Sequence, residues 1–192
     1  MSAVEDANVI EREIIRLERI VRDVLQFARP AQPQWEAGSA LALLREIHDL
    51  MRSQLEKSEI ELTVEDSTEI TIHGDQNQLK QVLINLVHNG AESIGERGKI
   101  VPRAGTERVS LGGRPTNVAI LEVEDNGKGI PLEVQKRLFD PFYTTKAAGT
   151  GLGLSIAARI IENHGGALRY KTEIGRGTTF GIVLPLKSSD EK

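Results

Sequence analysis

The chain has 192 residues, enough for one domain and a short additional segment. A net charge of -4 argues against nucleic acid as a partner, and the lack of cysteine excludes a disulfide framework and a thiolate zinc site. No apolar run approaches the ~20 residues of a membrane helix, and the first residues lack a signal-peptide pattern. We therefore expect a cytoplasmic protein without direct membrane contact, although a longer parent protein can carry an anchor elsewhere.

An amphipathic helix is predicted between residues 5 and 29. Its apolar residues recur in steps of four and three, at Ile10, Ile14, Leu17, Val21, Val24 and Ala28. This heptad spacing favours a coiled-coil or bundle helix, and a homodimer through residues 5–29, over a helix packed on its own domain. Pro30 and Pro33 end the helix. We therefore divide the chain into residues 1–30, a linker 31–38, a main domain 39–187 and a disordered tail 188–192.

The main domain has the pattern of an α+β two-layer sandwich, a mixed β-sheet covered by helices. Ser39 and Asp75 are predicted N-caps of helices whose apolar stripes end near Leu55 and Val87. Two further helices are predicted after Pro131 and over 150–164. Strands are predicted at 60–65, 69–73, near 108, and at 118–124, 167–173 and 178–184. The stretch 95–117 is otherwise expected to be a polar connection that turns at 112–115.

Two asparagines lie on one face of the helix that follows Asp75. Asn85, Asn89 and Glu92 are four and three residues apart, opposite the apolar stripe. Asparagine is a poor helix former, so its presence suggests a role. Amide oxygens suit Mg²⁺, which prefers hard oxygen donors and retains water and phosphate ligands. A solvated helix face, or amides satisfied locally, is the alternative.

Two glycine-rich segments follow. Asp125-Asn126-Gly127-Lys128-Gly129 comes after a strand, where a carboxylate can accept a hydrogen bond from the amino group of adenine, while guanine presents a carbonyl. The alternative is a plain turn. Gly149-Thr150-Gly151-Leu152-Gly153-Leu154 runs into a helix whose N-terminal N–H groups suit a triphosphate, unless the segment is only a hinge. It is neither a P-loop nor a Rossmann fingerprint.

Leu138-Phe139-Asp140-Pro141-Phe142 lies between the glycine segments. Together with the asparagine helix, these segments resemble the ATP-binding catalytic domain of sensor histidine kinases, over about Ser39 to Leu186. Residues 142–146, Phe-Tyr-Thr-Thr-Lys, resemble the nitrogen-regulation type. The resemblance implies the Bergerat ATP-binding fold of the gyrase and mismatch-repair superfamily, and ATP and Mg²⁺ as cofactors. It further implies that Asn89 ligates the metal, that Asn85 supports the metal and phosphates, and that Thr178 backs Asp125.

The resemblance also implies an ATP lid from about Asp140 to Gly149, with Phe139 and Phe142 as a phenylalanine box. Ordinary core packing is the alternative for both phenylalanines. Asn85, Asn89 and Lys146 are the catalytic candidates, and Lys146 would screen the γ-phosphate unless it is a solvated surface lysine. The implied nucleotide-binding positions are Asn85, Asn89, Asp125, Gly127, Gly129, Ile130, Phe139, Phe142, Thr144, Thr145, Lys146, Gly149, Thr150, Gly151, Leu152, Gly153, Leu154 and Thr178.

The implied reaction transfers the γ-phosphoryl group of Mg²⁺-ATP to a histidine on a phosphoacceptor helix, and from there to an aspartate of a response regulator. Hydrolysing relatives carry a glutamate base at the position of Asn85, and an amide is no general base, which favours a kinase over a hydrolase.

None of the four histidines has the full phosphoacceptor motif. In the nearest match, His48-Asp49-Leu50, Met51 stands where a basic residue belongs. We therefore expect the acceptor to be absent from this chain and the chain not to be labelled by ATP, with residues 5–29 resembling the second dimerisation helix. A non-catalytic ATP-binding regulatory module is the first alternative. An anti-sigma-type serine kinase is the second, and the heptad helix argues against it.

Overall fold

The computed structural model describes residues 10, 13–14, 17–18, 20–21, 24–25, 27–28, 32–65, 69–111, 114–146 and 149–186. The predicted tail at 188–192 and the glycine pair at 112–113 lie outside the described residues. The described residues between 10 and 28 are helical and are referred to as α1. The elements that follow are β1 (Glu36–Ser39), α2 (Ala40–Glu56), β2 (Ile60–Leu62), β3 (Thr71–Gly74), α3 (Gln76–Ile94), β4 (Gly98–Leu111), β5 (Arg114–Asp125), α4 (Leu132–Gln135), α5 (Gly153–Asn163), β6 (Ala167–Glu173) and β7 (Gly177–Pro185).

A five-stranded mixed sheet forms one layer, in the order β2-β4-β5-β7-β6. The β2–β4 pair is parallel and the other neighbours are antiparallel. Helices α2, α3 and α5 pack on this sheet, where alternate β5 residues such as Leu121 join a core with Leu44, Leu83 and Ile160. The predicted α+β sandwich is confirmed. No helix among the described residues is both long and apolar enough to cross a bilayer.

Both predicted N-caps are present. The Ser39 hydroxyl accepts a hydrogen bond from the backbone N–H of Ala42 at 3.0 Å. The Asp75 carboxylate accepts from the backbone N–H groups of Asn77 and Gln78, each at 3.0 Å. Each cap therefore satisfies donors that the first helical turn leaves without an intrahelical partner.

The strands differ from the prediction in two places. Residues 36–39, assigned mostly to the linker, form β1 and pair with β3, from Glu36↔Gly74 to Ser39↔Thr71. The polar connection predicted over 95–117 is wrong, because most of it belongs to β4 and β5, which pair from Ile100↔Asp125 to Leu111↔Arg114. Cross-strand hydrogen bonds stabilise this hairpin, and its polar sequence has little of the alternation that marks a half-buried strand.

The apolar stripe of α1 does not pack on the domain that follows. Ile10, Leu17 and Val21 are 56–60% exposed, which disfavours the alternative of a helix packed on its own domain for these residues. Only the end of α1 makes a described contact with the domain. The Phe27 ring lies edge-on to Phe142, with centroids 6.1 Å apart, and the Arg159 guanidinium donates to the Phe27 carbonyl at 2.8 Å.

Asp75 joins three separate parts of the chain. Its carboxylate accepts from the backbone N–H of Gln34 at 2.9 Å, and its own N–H donates to His164 Nε2 at 3.0 Å. His164 Nδ1 lies 2.7 Å from the carbonyl of Ile160, which fixes the tautomer protonated at Nδ1. Partial burial opposes the charged form of Asp75, but the backbone N–H donors outweigh it, so the pKa of Asp75 lies below its ordinary value.

We expect Asp75→Ala to lower the free energy of unfolding by about 1–2 kcal/mol, because it removes an N-cap that also anchors Gln34. A depressed carboxyl pKa stabilises the fold above the unfolded pKa, and this contribution is lost as pH falls through the folded pKa. The difference from the wild type, measured by urea denaturation, should therefore shrink in acid. Asp49→Ala, which removes an exposed carboxylate next to His48, is the control. An equal loss at neutral and acid pH would contradict this account.

Candidate functional site

A cleft of about 660 Å³ opens between α3, the end of β5 and the segment leading into α5. Most of the residues predicted to bind a nucleotide line it, although they come from four separate parts of the chain. They are Asn85, Asn89, Asp125, Gly129, Ile130, Thr144, Thr145, Lys146, Gly149, Thr150, Gly151, Gly153, Leu154 and Thr178.

Four predicted positions are not among the lining residues. Leu152 is fully buried in the core, and the Phe139 ring packs on Tyr170 with centroids 5.9 Å apart. Phe142 is 63% exposed and contacts Phe27, as described above. Gly127 serves the site indirectly by donating its N–H to Asp125. Phe139 is therefore half-buried against Tyr170 and does not line the cleft.

Asp125 is the buried carboxylate of the cleft. It is the last residue of β5 and only 5% exposed. Its Oδ1 accepts the N–H of Gly127 at 2.8 Å, and the carboxylate also accepts the backbone N–H of Thr178 and the hydroxyl of Ser93. Burial raises the pKa of Asp125 above its ordinary value, while these three donors oppose the rise. The site thus holds a carboxylate at an energetic cost, as functional sites commonly do.

Two residues that support this end of the cleft, Ser93 and Thr172, were missed from the sequence. Thr178 reaches Asp125 through its backbone, while its hydroxyl lies 2.9 Å from that of Thr172. Thr172 also accepts the N–H of Ile130 at 2.9 Å, which fixes the turn after the first glycine segment. Ser93 lies one helical turn beyond Asn89, so the i, i+4 spacing was a signal for it. Thr172 had no local signal, because its role depends on the pairing of β6 with β7.

The asparagines lie toward the other end of the cleft. The side-chain nitrogens of Asn85 and Asn89 are buried, and they are the buried side-chain polar atoms without a hydrogen-bond partner among the described residues. A buried unsatisfied amide is costly and suggests a ligand. Gly153 lies so close that a β-carbon there would be 2.6 Å from Asn85 Oδ1. A side chain at 153 would therefore displace the Asn85 amide where α5 meets α3.

The start of α5 faces the same end of the cleft. Leu152, its N-cap residue, makes no side-chain capping hydrogen bond, and Gly153 and Leu154 line the cleft. Uncapped N–H groups at a helix N-terminus, together with the helix dipole, suit an anion such as phosphate.

Lys146 is the cation of this region. Its ammonium group donates to Asn89 Oδ1 at 3.0 Å and forms an ion pair with Glu92. The lysine thus reaches from the segment above the cleft to α3, although its side chain remains exposed. Asn89 and Glu92 present an amide oxygen and a carboxylate together, a donor set that fits Mg²⁺ bound with waters and phosphate.

Comparison with known proteins identifies the family of the domain that contains the cleft. The model of the family described as "Histidine kinase-, DNA gyrase B-, and HSP90-like ATPase" matches residues 74–188. The signal transduction histidine-protein kinase AtoS of Escherichia coli (strain K12) is 37% identical over 183 residues, which cover 95% of this chain and 29% of AtoS. The chain spans about a third of the length of the curated relatives it matches.

Solved structures of histidine kinases are also similar to this chain. The catalytic domain of histidine kinase ThkA is 32% identical with a TM-score of 0.68, covering 79% of this chain and 95% of that domain. Histidine kinase ThkA in complex with the response regulator protein TrrA is 30% identical with a TM-score of 0.74, covering 96% of this chain and 51% of that one.

We expect Asp125→Asn to become more stable relative to the wild type as the pH rises from acid to neutral. A raised carboxyl pKa means that stability is lost as pH rises through the folded pKa, and the amide removes this loss while keeping an oxygen for the Gly127 N–H. Chemical denaturation should show that the free energy of unfolding of the variant increases relative to that of the wild type between acid and neutral pH. Asp49→Asn, at an exposed carboxylate, serves as control. A difference in the free energy of unfolding between variant and wild type that stays constant from acid to neutral pH would refute the cost assigned to this carboxylate.

Proposed function

The chain belongs to the histidine kinase-, DNA gyrase B- and HSP90-like ATPase family, as a catalytic domain of the histidine kinase type, and we propose that its cleft binds Mg²⁺-ATP for phosphoryl transfer to a histidine. Relatives such as AtoS are named histidine kinases, which are transferases. Because the chain spans only part of their length, the acceptor, the relay and the regulator are proposals about the whole protein.

The buried carboxylate of Asp125 is the main observation that supports the proposal. A carboxylate is seldom buried without a cation beside it, and three donors hold this one at the edge of the cleft. An ionised carboxylate accepts hydrogen bonds and donates none. It therefore matches the amino group of adenine and mismatches the carbonyl of guanine at the same edge of the base.

The asparagine end is the proposed triphosphate site. The α5 N-terminus would hold phosphate oxygens, and the Asn89 oxygen and the Glu92 carboxylate would hold Mg²⁺, which neutralises phosphate charge. Lys146 would contribute a point charge beside the γ-phosphate once it leaves Asn89. Asn85 positions rather than reacts, because its amide takes no proton near neutral pH. The work of this domain is accordingly positioning and charge neutralisation.

The partners follow from the same interpretation. We propose a phosphoacceptor helix as the recipient of the γ-phosphoryl group and a response regulator as the next acceptor. The solved complex of the similar histidine kinase ThkA with the response regulator protein TrrA supports this proposal. The exposed apolar stripe of α1 supports a homodimer through residues 5–29. ATP as substrate favours the cytoplasm.

A non-catalytic ATP-binding module is the remaining alternative. A phosphotransfer assay separates the two, with the full chain, labelled ATP and a dimerisation hairpin carrying the acceptor histidine added in trans. Acid-labile label on the hairpin supports the kinase. Tight ATP binding without any transfer to hairpins from several related kinases would support the binding module.

Asp125→Ala should weaken ATP and ADP binding by roughly ten- to hundred-fold, since a lost charge-assisted hydrogen bond in a partly dry site costs about 1.5–3 kcal/mol. Isothermal titration calorimetry with ADP measures the change. Asp140→Ala, which removes an exposed carboxylate paired with Arg137, is the matched control. Unchanged ADP affinity in Asp125→Ala would refute the assignment of this residue.

Steady-state ATP hydrolysis should stay close to background, because Asn85 stands where a general base contributing about 10²–10⁴-fold would be needed. A phosphate-release assay tests this on the full chain. Turnover on the order of 1 s⁻¹, typical of a working enzyme, would mean that another base operates. Glu92→Gln would then test the glutamate that lines the described cleft, with Mg²⁺ affinity measured alongside, because the same carboxylate is a proposed metal ligand.

A further inference from the structure

Ser93 connects α3 to the strand end that carries Asp125. Its hydroxyl donates to the Asp125 carboxylate and accepts the backbone N–H of Lys128 at 3.1 Å. The hydroxyl thus acts both as a donor and as an acceptor toward the segment 125–128, and its proton is used by the carboxylate. The side chain is partly buried and lines the cleft.

The packing around this contact is tight. A β-carbon at Gly127 would lie 2.2 Å from the Ser93 oxygen and 2.8 Å from Asp125 Oδ1. No side chain fits there without moving one of the two, so glycine at 127 keeps the serine and the carboxylate in contact. This close approach and the hydrogen bond are independent geometric features of the same site.

We propose that Ser93 is a positioning residue for Asp125, which holds the carboxylate in the orientation and the ionised form that the adenine amino group requires. The inference rests on the proposed function for its ligand, but not for the contact itself. Ser93 would thereby set both the preference for adenine and the lower pH limit of nucleotide binding.

The charged groups near Asp125 do not account for its ionised form, so a neutral donor such as a hydroxyl can stabilise it. Glu124 on the same strand opposes the charged form of Asp125. Glu92 and Lys146, which pair with each other, and Lys128 line the same cleft. The neighbouring strand β7 offers the backbone N–H of Thr178 and no charged side chain over its described residues 177–185. The support for the ionised carboxylate therefore comes from neutral donors, of which Ser93 is a side chain that can be removed cleanly.

The test begins with nucleotide-free protein. The pKa of the Asp125 carboxyl is followed by ¹³C nuclear magnetic resonance in the wild type, Ser93→Ala and Ser93→Thr. We expect Ser93→Ala to raise this pKa, because it removes a donor to the charged form, and Ser93→Thr to restore it. Ser155→Ala, whose hydroxyl is bonded to the Leu152 carbonyl at 2.9 Å, is the control and should leave the titration unchanged.

The second measurement is ADP and GDP affinity across pH. Ser93→Ala should weaken ADP binding about tenfold near neutral pH, move its loss in acid to higher pH, and narrow the preference for ADP over GDP. An unchanged Asp125 titration in Ser93→Ala would overturn the inference, as would an equal loss of ADP affinity at every pH. The titration is measured without nucleotide, so it tests the role of Ser93 alone. The proposed function is tested separately, and it is refuted if the wild type and Asp125→Ala bind ADP equally well.

Discussion

A carboxylate buried at the end of the central strand β5 is the constraint on which this site depends. Burial opposes the charge of Asp125, and the surrounding elements supply hydrogen bonds that offset part of the cost: Gly127 from the turn, Thr178 from β7 and Ser93 from α3. The elements that pack around the end of β5 therefore also support the site. Any change that separates α3 from β5 or β7 affects recognition and stability together.

The two ends of the cleft are built differently. The Asp125 end stands on paired strands and on a helix packed in the core, which favours a fixed geometry. The other end combines α3 with a segment that crosses above it, linked through Lys146 to Asn89 and Glu92. Phe142 and Gly151, which lie on either side of that segment, contact each other through their backbones. Both have a positive φ, 64° at Phe142 and 69° at Gly151. Phe142 also contacts Phe27, so this end of the cleft adjoins the helix proposed to bind partners.

The sequence was informative wherever the signal is local. Helix caps at Ser39 and Asp75, the asparagines one turn apart and the glycine segments all follow from short-range rules. The asparagines and most residues of the glycine segments line one cleft in the structure. Pairing across the chain was not predictable from the same rules. Strand β1, the extent of the β4–β5 hairpin and the role of Thr172 depend on partners that periodicity does not reveal. Phe139 was ambiguous for the same reason, because its contact with Tyr170 depends on where β6 lies in the fold.

The central claim is that Asp125 recognises the amino group of adenine. The most direct measurement compares, by calorimetry, ADP with the diphosphate of purine riboside, which lacks that group, in the wild type and in Asp125→Ala. Deleting the amino group should cost about tenfold in the wild type and little in the variant, because the partner is already absent. An equal loss of affinity in both proteins would show that another group reads the base, and would contradict recognition of adenine by Asp125.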